Sequence, residues 1–506
     1  WATADKEIKA KLEAAVAKNG KIRILTATVV SPSTKALFAE FAAKYPGTEV
    51  VTYDAVSFAG TLKANEQSFG KAALPTYRFD NADVIVSVGA DFLSNWINPT
   101  EHARQYAANR KLFGKKTMSR HYQFEATLSV TGSNADHRYK VKPGQYGSVV
   151  AALYNKVASL AGATSISAGN TSVDDGISKA ARDLWNSKGR SVVVCGSNDS
   201  AVQVLINGIN TLLGNYGSTV NIDMHSNLRQ GSDEKMAALV AEMASGAVDV
   251  LFMYNVNPAY TYPDAAAFKA ALKKVGTSVS FAGTEDESAS EANYICPDHH
   301  YLESWNDAEP VKGMFSLGQP VIRPLFKTRQ MQDSLIQWAG LPYQDYLTFI
   351  QGNWNKSMYG MQTGISSYDA FWTKSLQEGV FETAPAAGVN VFAGDVAAAA
   401  SSIVKSKTDG LELVIYEKTG IGNGNQANNP WLQELPDPVS KVCWDNYFAM
   451  SPAFAKAQGF SQGNVIEVKA GNKTVKGPVY LQPGVADQTI AIAIGYGRTK
   501  AGKAAD

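Results

Sequence analysis

Apolar positions recur at helical spacing through residues 1–19, with Ile8, Leu12, Ala15 and Val16 on one face and lysines on the other, which predicts an amphipathic helix. KIRILTATVV then reads as a buried strand, residues 33–45 as a helix stopped by the Pro46-Gly47 turn, and TEVVTYDAV as a second strand. The same alternation returns in ADVIVSVGADFL, in SVVVCGSNDS with the helix AVQVLINGINTLL, in DVLFMYNVNPAYTYP and in SVSFAGTEDES. Strands alternating with helices predict an α/β fold of parallel sheets covered on their faces. A Ser-, Thr- and Gly-rich stretch over 161–175 marks a boundary, so 1–160 and 176–338 are expected to be two α/β domains. Residues 339–410 form an irregular insertion rich in Trp and Tyr, closed by the helix DVAAAASSIVKS, with its aromatics expected mainly in the core. From 411 to 506 the runs LELVIYE, NVIEVKAG, TVKGPVYL and TIAIAIG, separated by Gly, Asn and Pro, predict a C-terminal β-barrel domain.

Residues 295–326 fit neither period. ICPDHHYLESWNDAEPVKGMFSLGQPVIRPLF carries two histidines, three carboxylates around a tryptophan, and prolines at 297, 310 and 320 that would interrupt a helix. It is expected to be a long ordered loop over a pocket or partner surface.

The chain has 506 residues, enough for several domains and for clefts between them. Its 47 basic and 46 acidic residues give a net charge of +1, which argues against a dedicated nucleic-acid binder. No run of about 18 apolar residues occurs, so no spanning helix is expected. The three cysteines, Cys195, Cys296 and Cys443, are far apart, which excludes a four-thiolate cluster or zinc ribbon and predicts small buried apolar side chains. His299 and His300 are adjacent and have no ligand-spaced neighbours, so a hydrogen-bonded role is expected over a metal site. Glu303, Asp307 and Glu309 are the nearest acid and base candidates, in a composition common to loops. No P-loop, GxSxG or HExxH motif occurs.

Strand ends supply the remaining candidates, because ligands in open parallel sheets sit beyond the carboxyl ends of strands. Gly89 and Asp91 follow one such run, as a ligand approach or as a tight turn with a capping Asp. Thr131, Gly132, Ser133, Asn134 and Asp136 make a polar loop able to grip a ligand or to cap itself, and Asn255, Asn257 and Pro258 leave another strand end.

The succession NADVIVSVGADFLSNW, LSVTGSNADHRYKVKPGQYGSVV, YNVNPAYTYP, ICPDHHYLESWNDAEP with QPVIRPLF, and NNPWLQELPDPVSKV resembles the molybdopterin oxidoreductase superfamily. Within it, the likeness is to the polysulfide-reductase-like branch and the B subunit of bacterial alternative complex III. The resemblance implies two α/β domains flanking a cleft, closed by a β-barrel, with a molybdenum bis-pterin guanine dinucleotide between them in catalytic members. Gly89, Asp91, Gly132, Asn134, Asp136, Asn257, Asp298 and Asn429 match positions that would line the cofactor's arms. The metal-ligating Cys, selenocysteine or Ser is expected between residues 53 and 70, where only Ser57 and Ser68 offer a side-chain ligand of these kinds. The chain begins at the Trp that follows the cluster domain in relatives, and no cysteine-rich segment follows Asp506, so it is expected to be the molybdopterin-like half alone. The resemblance therefore implies a non-catalytic subunit with no cofactor of its own, on the periplasmic face of a quinol-oxidising respiratory complex. Its expected partners are an iron-sulfur ferredoxin-like protein or domain, integral membrane quinol-binding subunits and c-type cytochrome subunits. The alternative is the catalytic molybdenum subunit of a polysulfide- or thiosulfate-reductase-type enzyme, with Ser57 or Ser68 on the metal.

Overall fold

In the computed structural model the described residues are 1–114, 117–169, 171–404 and 410–506. The chain divides into two compact units interleaved along the sequence. The first comprises Trp1–Phe58, Ser226–Ala387 and Thr499–Ala501, and the second Ala59–His225, Gly388–Arg498 and Gly502–Asp506.

The first unit is built on a five-stranded sheet, all parallel, in the order Tyr294–Ile295, Thr277–Ser280, Val248–Tyr254, Lys21–Thr26 and Thr48–Thr52. Helices cover both faces, which is why its central strands are apolar on both sides. On one face Ile24, Phe252 and Phe281 pack under the helices Ala2–Ala17, Pro32–Lys44 and Met331–Ala339, with the Phe252 and Trp338 rings stacked 5.6 Å apart. On the other face Leu25, Val51, Leu251 and Met253 meet Met236, Leu239 and Met243 of Asp233–Ala244 and Phe268 of Ala265–Leu272. Ser31 starts Pro32–Lys44 by accepting the Thr34 N–H, with Pro32 at the first helical position.

Two segments of this unit differ from expectation. The aromatic stretch is helical, over Tyr346–Ser357 and Tyr368–Glu378. Tyr346, Phe349, Ile350 and Trp354 keep a helical repeat that the intervening Gly and Asn obscure, and all four are buried. In the expected loop, Asn306–Val311 and Met314–Gly318 pair as an antiparallel hairpin, continued by Val380–Glu382. Its buried face carries Asp307, Glu309 and Val311, so the strand's period of two is written partly in carboxylates. Pro310 falls within the register shift between Ala308 and Val311, which spares it a ladder hydrogen bond.

The second unit holds a four-stranded parallel sheet in the order His137–Lys140, Arg120–Glu125, Val84–Val88 and Ser191–Cys195. Val86, Phe124, Leu153, Val157, Leu205 and Ile209 fill its core beneath Tyr146–Ala161 and Ser200–Leu212. Its C-terminal part is a mixed five-stranded sheet running from Glu412–Tyr416 through Thr489–Ala493, Phe448–Met450 and Lys473–Leu481 to Val465–Ala470. The expected β-character of this region is present, and closure into a barrel is not shown. The last two residues of DVAAAASSIVKS lie outside the described residues; the helix spans Val396–Val404.

The units do not follow the consecutive segments 1–160, 176–338, 339–410 and 411–506. Strands expected to share the first domain are divided, with Lys21–Thr26 and Thr48–Thr52 in one sheet and Val84–Val88 and Arg120–Glu125 in another. Hydropathy marks a strand, but the sheet it joins is decided by long-range packing.

Candidate functional site

Gly89, Asp91, Gly132 and Asn134 lie in the loops that follow the second unit's parallel strands Val84–Val88 and Arg120–Glu125, whereas Asp136 stands just before His137–Lys140, at the amino ends of the strands. Gly89 turns out of Val84–Val88 with φ +67°, and its N–H donates to Phe124 O at 2.8 Å. The space where its Cβ would stand is taken by the Tyr146 ring, 2.4 Å away, and Tyr146 Oη accepts the Ala126 N–H at 3.0 Å. Asp91 Oδ1 accepts the Thr131 N–H and hydroxyl at 3.0 and 2.6 Å. Burial raises its pKa, with nearby Glu125 acting in the same direction and the Thr131 bonds opposing. Gly132 begins as a turn around Glu125, since a Cβ there would lie 1.9 Å from the Glu125 carboxylate. Asn134 caps locally, donating to Val130 O at 2.9 Å. Asp136 accepts a forked pair from Arg110 at 2.6 and 3.0 Å and the His121 N–H at 2.8 Å. Burial works against its charge, yet these donors hold its pKa below the usual carboxylate range.

Beside them runs a buried polar ladder that the motif reading passed over. His121, Gln123 and Glu125 point to one face of their strand; His121 Nε2 is 3.3 Å from Gln123 Oε1, and Gln123 Nε2 donates to Glu125 Oε2 at 3.0 Å. Arg138 Nε and Ser129 Oγ close on the Glu125 carboxylate at 2.5 Å each. Burial pushes His121 down to about 4, which keeps its ring neutral. The signal was present in RHYQFE, where polar residues alternate inside an otherwise buried strand.

In the first unit, Asn257 and Asp298 also lie beyond strand ends. Asn257 donates to Glu287 Oε2 at 2.7 Å and accepts the Ser288 hydroxyl at 2.7 Å. Asp298 Oδ1 accepts the N–H groups of His299 and Met331, both at 2.9 Å, the latter at the start of Met331–Ala339. Burial lifts Asp298 to about 7, the two backbone donors oppose the shift, and Asp333 adds to it. Near the ends of Lys21–Thr26 and Thr48–Thr52, Asp54 takes the Thr28 hydroxyl at 2.6 Å and the Gly231 N–H at 2.8 Å, an arrangement no local motif announced. Asp307 binds the Ser31 hydroxyl, the Ser33 hydroxyl at 2.5 Å and Trp354 Nε1 at 2.8 Å. It is thus a packed junction of helix and hairpin, and burial again raises its pKa.

Asn429 caps the short helix Pro430–Glu434, accepting the Trp431 N–H at 3.1 Å. His299 Nδ1 lies 2.6 Å from Thr328 Oγ1, and His300 Nδ1 accepts the Leu302 N–H at 3.3 Å. Among the described residues no group of three or more His, Cys, Asp or Glu is placed to hold a metal ion. Cys195 and Cys296 are buried, which pushes their thiols up to about 12 and about 11.

These residues do not fit the arms of a pterin dinucleotide within either unit. Each of the eight candidates is engaged by groups of its own unit, the spaces beside Gly89 and Gly132 are filled by Tyr146 and Glu125, and the latter brings a carboxylate where a pyrophosphate needs donors. The two serines are no better placed as ligands. Ser57 donates to Asp233 at 2.7 Å, and Ser68 is fully buried, accepting from Asn207 Nδ2 at 3.1 Å.

The parallel sheets, their strand-end loops and the C-terminal β-region define an α/β architecture, and the sequence assigns its family. The molybdopterin oxidoreductase family matches residues 1–333, and the chain belongs to that family. It is similar to the menaquinone reductase molybdopterin-binding-like subunit of Nitratidesulfovibrio vulgaris (strain Hildenborough), 24% identical over 477 residues. That match covers 84% of this chain and 66% of the relative, so the chain spans just under two thirds of the relative's length. Acetylene hydratase from Pelobacter acetylenicus shares the fold, with a TM-score of 0.71, 14% identity, and coverage of 98% of this chain and 82% of that one.

Proposed function

We propose that this chain is a non-catalytic, molybdopterin-oxidoreductase-like subunit of a membrane-bound respiratory quinol:acceptor oxidoreductase of the alternative complex III type. It binds no pterin or metal and acts as a scaffold for electron transfer through its neighbours. The observation that carries this reading is the occupied strand end of the second unit, where Tyr146 and the Glu125 carboxylate stand in the spaces beside Gly89 and Gly132. The relative's description as a molybdopterin-binding-like subunit of a menaquinone reductase supports both parts, family ancestry and membership of an assembly. The neighbours in this reading are an iron-sulfur ferredoxin-like region, membrane quinol-binding subunits and c-type cytochromes, on the periplasmic face. The catalytic alternative would require Ser57 to leave Asp233 or Ser68 to leave the core.

Affinity purification of the tagged chain from detergent-solubilised membranes of its source tests the assembly. Co-elution with membrane subunits and c-type haem in fixed ratio is the expected result. Elution as a lone soluble protein would contradict it.

A further inference from the structure

Residues 320–327, PVIRPLFK, present apolar side chains to solvent on a backbone that is tied down. Val321, Leu325 and Phe326, with Tyr301 beside them in the chain segment they bond to, are each 70–78% exposed, and Ile322 is 43% exposed. Yet the Val321 and Ile322 N–H groups both donate to Leu302 O, at 2.8 and 3.2 Å. The Leu325 N–H donates to Glu303 Oε1 at 3.0 Å, while Glu303 Oε2 accepts the His300 N–H at 3.0 Å. Behind the loop, Arg329 N donates to Pro297 O at 3.1 Å and Trp1 Nε1 to Lys327 O at 2.9 Å. Pro320 and Pro324 further restrict φ on either side of Val321–Arg323.

Exposure of this kind is costly in water and marks an interaction surface. The charges identify what covers it. Arg323 and Lys327 interleave with the apolar residues and are exposed, and among the described residues neither has a carboxylate partner. The nearby acid, Glu303, is turned onto backbone N–H groups and pairs with neither cation. Bulky apolar side chains standing out from a fixed loop, with two unpaired cations among them, complement a fluid apolar phase beneath an anionic layer. Long cationic side chains can remain at the phosphates while their neighbours sink further. No described helix is long and apolar enough to cross a membrane, so the contact is peripheral.

We propose that this loop is an interfacial membrane anchor. Val321, Leu325 and Phe326 enter the boundary between headgroups and acyl chains of an anionic bilayer, with Tyr301 at the interface and Arg323 and Lys327 on lipid phosphates. The inference stands on the loop alone and does not depend on the assembly proposed above.

Flotation of the purified full chain with vesicles of phosphatidylcholine, with and without roughly 30% phosphatidylglycerol, tests it. Binding to the anionic vesicles is expected, weakening as salt is raised. The exposed double substitution Leu325→Ser with Phe326→Ser is expected to lower partitioning about tenfold or more without changing the circular dichroism or the melting temperature. Arg323→Gln with Lys327→Gln should remove the preference for phosphatidylglycerol. Phe326→Trp should add tryptophan emission that shifts to the blue on vesicle addition. Absence of vesicle binding, binding indifferent to the Leu325 and Phe326 changes, or an unshifted Trp emission at 326 would each overturn the proposal. So would capture of this loop by a protein partner in a chain that ignores vesicles.

Discussion

The two units hold the carboxylates beside their strands in different ways. In the second unit Glu125 faces Arg138 and Asp136 faces Arg110, both through short charge-assisted bonds. In the first, Asp298 receives two backbone N–H groups, and Asp307 two hydroxyls and an indole. Asp136 is exposed, so its modest desolvation is outweighed by the Arg110 bonds and its pKa is held low, whereas the stronger desolvation of Asp298 and Asp307 is only partly offset by neutral donors and raises theirs. Acids close to strand termini are thus an ion-paired plug around Glu125 in one unit and junctions held by neutral donors in the other. Neither arrangement resembles donors waiting for an anion.

Breaking the plug should have the largest effect. Arg138→Met leaves the Glu125 carboxylate, 4% exposed, without its counter-ion, and should cost about 3–5 kcal/mol in chemical unfolding. Adding Glu125→Met should recover much of that loss, which would separate a structural pair from a binding group. In the first unit, Asp307→Ala removes the common acceptor of Ser31, Ser33 and Trp354 and should cost about 2–4 kcal/mol, seen as lower thermal stability or impaired assembly. Normal assembly with lost quinol turnover would instead give Asp307 a chemical role. Gly132→Ala, whose Cβ meets the Glu125 carboxylate, should cost about 1–3 kcal/mol, and Glu125→Ala in the same chain should relieve part of that.

The last difference is one of pH slope. Asp298 has a folded pKa of about 7 against an ordinary value of 3.8, so the folded state holds its proton more tightly than the unfolded state. Its contribution is fully present below about pH 4 and is lost as pH rises through about 7. Asp298→Asn should flatten that part of the stability profile and gain on the parent chain between pH 5 and 8, measured by melting temperature. An unchanged slope would show that Asp298 titrates normally.

Much of this was legible in the residues. Apolar runs such as VIVSV and VLFMY marked parallel strands, and the order of strand-end loops pointed to the family that matches residues 1–333. Other features were hidden because they depend on residues brought together from a distance. Asp307 meets Ser31 and Trp354 across hundreds and tens of residues, and its strand presents carboxylates where hydropathy expects apolar side chains. Gly89 and Gly132 do stand at strand ends, as glycines near a ligand would, but what approaches them is Tyr146 and Glu125. A glycine records only that something comes close. The hydrophobic pattern likewise marked the C-terminal strands without deciding whether their sheet closes.

The claim that this chain carries no cofactor is tested most directly by the metal and pterin content of the intact complex purified from its source. Molybdenum and tungsten far below one atom per chain, with no pterin fluorescence after oxidative extraction, is the result this account predicts. Stoichiometric molybdenum or tungsten, with pterin released from this subunit, would contradict it.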